Sequence, residues 1–87
     1  MTAASTAQGD DAVQAAVLME VLALHPAQIA FDELQREMAG GEDEGFAGRD
    51  AFHRAVRDLA GSGLLRREGD SVLPTRAALR MAELWER

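Results

Sequence analysis

The hydrophobic period of the chain changes at Gly61-Ser62-Gly63, and that change limits what the chain can fold into. Before it, Phe52, Ala55, Val56, Leu59 and Ala60 recur at i, i+3, i+4, i+7 and i+8, the buried stripe of a helix running from about Phe46 to Ala60. After it, Leu64-Leu65-Arg66-Arg67 reads as a strand, Glu68-Gly69-Asp70-Ser71 as a turn, and Val72-Leu73 as the return strand. Gly69-Asp70 supplies the positive-φ chemistry of a tight hairpin, and a glycine is available for the left-handed cap of the helix. Pro74 lacks a ladder donor and ends the strand.

The flanking segments add helices. Residues 1–9 hold no large apolar residue after Met1 and read as a flexible tail, leaving one domain over residues 10–87. Asp10 or Asp11 is the expected cap of a first helix, with Val13, Val17, Val21 and Leu24 as its stripe and Leu18 and Leu22 widening it. Pro26 places the helix end near Leu24 and His25 at the cap. Gln28-Ile29-Ala30-Phe31 is long enough for one short strand. Asp32 with Gln35 has the capping-box spacing for a helix from Glu33 to about Ala39 that buries Leu34 and Met38. Gly40-Gly41 stops that helix, and Glu42-Asp43-Glu44 reads as a solvated acidic turn. Thr75 caps a last helix from Arg76 to about Glu86, with Ala78, Leu79, Ala82 and Trp85 facing inward. The expected order is helix, strand, helix, helix, hairpin, helix: a mainly α fold with a small β-sheet, in the α+β class.

Size and composition agree with a single core. Of the 41 hydrophobic residues among 87, 17 are alanine, leaving 24 larger apolar side chains. There is no cysteine, which excludes a disulfide framework and thiolate chemistry. No apolar run is long enough to span a bilayer, and the first residues lack a basic-then-apolar signal pattern, so a soluble, cytoplasmic chain without a membrane partner is expected.

The net charge of −6 argues at first against nucleic acid, but it is unevenly spread. Residues 1–45 carry −8, residues 46–80 carry +3 and residues 81–87 carry −1. All nine basic residues are arginine. Local patches decide which partners are steered in, so the positive segment is where a phosphate-bearing partner would be met.

The Asp32–Ala39 helix, the Arg49–Ala60 helix with its Ala55-Val56-Arg57-Asp58-Leu59 run, the Gly61-Ser62-Gly63-Leu64-Leu65 exit and the Glu68-Gly69-Asp70-Ser71 tip resemble the winged helix-turn-helix family. The continuation Val72-Leu73-Pro74-Thr75-Arg76-Ala77-Ala78-Leu79 is similar to small winged-helix proteins of bacteria with high-GC genomes, and the resemblance covers roughly residues 11–86. It implies that the third helix enters the major groove of double-stranded DNA and that the hairpin touches an adjacent groove or phosphates. It also implies a homodimer and a role in transcription regulation.

The residues fit that expectation in part. Arg49, His53 and Arg57 are spaced by four on the face opposite the Phe52/Val56/Leu59 stripe, flanked by Asp50 and Arg54. Arginine's planar donor fork suits guanine edges and phosphates. Of Arg66 and Arg67, alternation turns one outward and leans the other over the helices, and Arg76 sits in the first turn of the last helix. Against this, Asp50–Arg54 and Arg54–Asp58 have the spacing of ordinary surface pairs, and Glu68 and Asp70 put negative charge on the hairpin. Leu18, Leu22, Met81, Leu84 and Trp85 are the candidate dimer residues; a core-filling Trp85 is the simpler alternative.

Other chemistry finds little support. His25 and His53 lack partners at metal-ligand spacing, and Glu42-Asp43-Glu44 lacks the pattern of a calcium loop, so no metal and no cofactor is expected. Ser5, Ser62 and Ser71 lie in tail and turns without a nucleophile elbow, and no phosphate loop is possible without lysine. No enzyme is expected. Base stacking on RNA is disfavoured, because there is no tyrosine and Phe31, Phe46 and Phe52 are expected inside. The competing function is a protein-interaction module, an adaptor that uses the acidic first half or the arginine face.

Overall fold

The computed structural model describes residues 2–39 and 45–86, with side chains over 10–38 and 48–86. The expected stop at Gly40-Gly41, the acidic turn at Glu42-Asp43-Glu44 and the inward Phe46 side chain lie outside the described residues. Four helices and three strands follow in the order α1 (Thr2–Leu24), β1 (Ile29–Ala30), α2 (Phe31–Ala39), α3 (Gly45–Gly61), β2 (Leu65–Glu68), β3 (Ser71–Pro74) and α4 (Arg76–Trp85). The fold is mostly helical with one small antiparallel sheet.

Two helix starts differ from expectation. α1 begins at Thr2, so residues 2–9 are helical backbone, and neither Asp10 nor Asp11 caps it. α2 begins at Phe31, so Asp32 lies in the first turn with Glu33 instead of capping it. Both carboxylates still sit near the positive end of the helix dipole. α1 ends at Leu24, and the His25 N–H donates to the carbonyls of Val21 and Leu22 at 3.2 and 3.3 Å.

The sheet order is β1-β3-β2, antiparallel throughout. Ile29 pairs with Val72 and Ala30 with Ser71 on one side; Leu65 pairs with Pro74, Arg66 with Leu73, Arg67 with Val72 and Glu68 with Ser71 on the other. Gly69, with φ of 58°, makes the hairpin turn with Asp70, and among the described residues no non-glycine residue has positive φ. Positive φ at the first loop position alone is the pattern of a type II′ turn, whose twist matches that of the strands.

One core lies between the inner sheet face and the helices. Val17 and Val21 of α1, Leu34 of α2, Phe52, Ala55, Val56 and Leu59 of α3, and Ile29, Leu65 and Val72 of the strands form it. Val13, Leu18, Leu24, Phe31, Met38 and Leu64 pack around it. Among the described residues no charged or polar residue is buried. Ala60, expected in the α3 stripe, is exposed. Eight residues along a helix turn it by about 80° beyond full turns from Phe52, which carries Ala60 past the edge of the apolar arc.

Burial in α4 fades along its length. Ala78 is fully buried and Leu79 and Ala82 are half-buried, whereas Trp85 is 80% exposed. The expectation that Trp85 fills the core is therefore incorrect. α4 packs on β3 and α1, and these cover its first turns rather than its last.

The exit of α3 and the entry of α4 form one joint. The Leu64 N–H donates to the Leu59 carbonyl at 2.9 Å and the Gly63 N–H to the Ala60 carbonyl at 3.1 Å. This pairing requires a left-handed residue at Gly63, whose φ is 81°. The Thr75 hydroxyl donates to the Gly63 carbonyl at 2.6 Å and accepts from the Ala78 N–H at 3.2 Å, and the Thr75 N–H donates to the Leu64 carbonyl at 3.1 Å. One side chain thus caps α4 and ties it to the end of α3. Thr75→Ala is expected to cost about 1–2 kcal/mol. The thermal midpoint should fall by roughly 4–8 °C for each kcal/mol lost. Thr75→Ser keeps the hydroxyl and is expected to retain most of the stability, as read by thermal and urea denaturation.

Candidate functional site

The expected basic residues do not form one surface. Four of them, His53, Arg54 and Arg57 of α3 and Arg67 of β2, line a groove of about 410 Å³ together with Phe31, Asp50, Val56 and Ala60. Arg49 is exposed one turn before His53, and Arg76 is exposed at the first residue of α4; neither lines the groove. Arg66 pairs with Glu68 at 3.0 Å, two residues along the same strand face. Arg67 is therefore the arginine that leans back over the helices, as alternation requires.

Phe31 organises this groove, and sequence reasoning placed it only as a core residue. It is half-buried at the junction of β1 and α2. Its ring centroid lies 5.1 Å from that of Phe52 and 5.0 Å from that of His53, the latter nearly edge-on at 78°. The Arg67 guanidinium carbon sits 4.2 Å from the Phe31 centroid, a cation–π contact. The Phe31 N–H donates to the Asp70 carbonyl in the hairpin turn at 2.7 Å. The signal for this arrangement was the period of two: with Ile29 inward, Phe31 falls on the same side, and Arg67 shares that side through its pairing with Val72.

Arg54 behaves differently from its neighbours. It pairs with Asp10 of α1 at 3.2 Å and with Asp50 at 3.0 Å. The hydrogen bond and charge of Asp10 raise the guanidinium above its ordinary value, with smaller contributions from Asp50 and Asp58. A raised value stabilises the fold below the unfolded-state value and is lost only at extreme alkalinity, so this tether responds to salt rather than to ordinary pH. Asp58 instead meets Arg57 Nε at 3.6 Å and accepts from Gln14 at 3.4 Å. Asp10–Arg54 and Gln14–Asp58 together form a polar seam between α1 and α3.

The candidate dimer residues divide by burial. Leu18 packs on the core, Leu22 and Met81 are half-buried, and Leu84 and Trp85 are exposed, as is Met19. Among the described residues no three His, Asp or Glu side chains gather as metal ligands, and no helix is long and apolar enough to cross a membrane. A second groove of about 280 Å³ lies between α1, α2 and α3, lined by Ala12, Val13, Ala16, Met38, Gly48, Ala51 and Phe52. None of the described residues that line it is titratable.

Arg54→Leu keeps most of the aliphatic stem and removes the charge. Amide exchange about Asp10 to Gln14 should quicken in this variant, whereas Arg57→Leu should leave it unchanged. Unaltered exchange in Arg54→Leu would mean that the tether does not hold α1 against α3.

A scan against protein-family models, a search of curated proteins and a search of solved structures found no match for this chain.

Proposed function

We propose that the chain is a winged helix-turn-helix protein that binds double-stranded DNA in the cytoplasm as a small dimeric transcriptional regulator, with α3 in the major groove and the β2–β3 hairpin as the wing. The observation that carries this reading is the convergence of His53, Arg57 and Arg67 from two elements on one open groove. Arg57 is 74% exposed and offers its donor fork outward while Phe52, Val56 and Leu59 dock the helix behind it. An α-helix with its side chains matches the roughly 12 Å width of the major groove. Arg49 extends the same face, and Arg66 and Arg76 supply further exposed cations for the backbone. Arg54 acts as a support for α3, because Asp10 and Asp50 already hold it.

The charge distribution sets the style of binding. With −6 overall and +3 only over residues 46–80, bulk attraction to DNA is weak and affinity depends on oriented contacts. A second copy doubles those contacts on a two-fold site. Leu84 and Trp85, beside Met81 on α4, with Leu18 and Leu22 of α1, are the apolar residues assigned to that dimer. The exposed Trp85 equally favours a second reading, an adaptor that anchors another protein, since buried aromatic residues commonly dominate such interfaces.

Selection from random duplex oligonucleotides at two salt concentrations separates the two. Enrichment of a two-fold motif supports the regulator; no enrichment at low salt supports the adaptor. On the best selected duplex, Arg57→Ala is expected to cost about 1–3 kcal/mol. An Arg49→Ala/Arg57→Ala double variant that binds as tightly as the parent would remove the DNA reading. Sedimentation that finds only the 9.4 kDa monomer at micromolar concentration would remove the dimer.

A further inference from the structure

We infer that the groove between α3 and the hairpin is a seat for a single phosphate group, ligated by Arg57 and Arg67, with Phe31 as the residue that positions Arg67. This rests on the nucleic-acid reading for the source of the phosphate, a backbone diester of the duplex.

The charges of the groove do not cancel. Among the described residues that line it the one carboxylate, Asp50, is taken by Arg54 at 3.0 Å, and Arg54 is further balanced by Asp10 at 3.2 Å. Glu68 pairs with Arg66 on the other strand face, and Asp70 does not line the groove. Arg57 touches a carboxylate only through Nε, at 3.6 Å from Asp58. Among the described residues no carboxylate pairs with Arg67. Around Val56 and Ala60 the groove thus holds two arginines from different elements, Arg67 without a paired carboxylate and Arg57 with its terminal guanidinium nitrogens outside its single contact to Asp58.

Phe31 makes one of these arginines ready to bind. A guanidinium stacked on an aromatic face keeps its in-plane N–H donors free, so the contact at 4.2 Å restrains Arg67 without consuming its hydrogen-bonding edge. The hydrogen bond from the Phe31 N–H to Asp70 at 2.7 Å ties the hairpin turn to the same residue. Restraining a long side chain before binding removes part of the ordering cost of the complex. His53, edge-on to Phe31 at 5.0 Å, lines the same groove and reports on its occupancy.

The test follows the Arg67 guanidinium and His53 ring signals by NMR in the full chain, first with inorganic phosphate at constant ionic strength, then with the best selected duplex. In the free protein the Arg67 side-chain protons should be shifted upfield by the Phe31 ring, and Phe31→Leu should remove that shift. With phosphate, His53, Arg57 and Arg67 should move saturably and together, and Phe31→Leu should weaken binding by about tenfold. Arg67→Met, which keeps an apolar stem over the ring, should abolish saturation. Shifts that do not saturate, or that are equal at Arg36 and Arg76, overturn the seat. Unchanged phosphate affinity in folded Phe31→Leu overturns the role of Phe31. Saturation by inorganic phosphate with no duplex binding at low salt supports the seat as a free-phosphate site and overturns the DNA reading. A bound duplex that leaves His53 and Arg67 unmoved overturns the seat while the DNA reading stands.

Discussion

The pairing of Ile29 with Val72 is the contact on which the rest of the structure depends. It joins a two-residue strand after α1 to the last strand of the hairpin, across about half of the chain. Such non-local closure costs chain entropy and is offset here by burial of both side chains against α1, α2 and α3. Because β3 also pairs with β2, the same residue, Val72, has Arg67 on its other side. A single register therefore decides that Phe31, next after β1, lies where Arg67 can reach it.

The hairpin is held at both ends. At its tip, the Asp70 carbonyl accepts the Phe31 N–H; at its base, Thr75 bonds to Gly63 and Leu64 where α3 ends. These restraints fix the strands relative to α3, so the groove between them has a defined width. Among the described residues the charged side chains take no part in the core, since none is buried. Their effect is on the surface, where exposed pairs are each worth little and the unmatched cations matter more than the matched ones.

Much of the architecture was legible in the chain. The α3 stripe apart from Ala60, the hairpin with its glycine turn, a glycine cap at the end of α3 and the Thr75 cap depend on residues within a few positions of one another, and the sequence reading of each agrees with the structure. The two N-cap assignments failed because an aspartate before an apolar stripe looks the same at a helix start and inside a helix. Asp10 lies within α1 and is used by Arg54, a partner far along the sequence. Trp85 failed for a related reason: the spacing of Ala78, Ala82 and Trp85 defines a shared face but not how far along α4 that face has a neighbour.

The candidate site shows the same division. Sequence spacing alone determined that Arg49, His53 and Arg57 share one side of α3, and strand alternation determined that only one of Arg66 and Arg67 leans inward. The tertiary structure decided that Arg67 meets Phe31, that Arg54 is claimed by α1, and that His53, Arg57 and Arg67 surround one groove. Periodicity and turn chemistry are set by neighbours along the chain, so a sequence carries them openly. Which cation keeps its charge free is set by carboxylates and rings brought close only by the sheet register and the packing of α1 on α3.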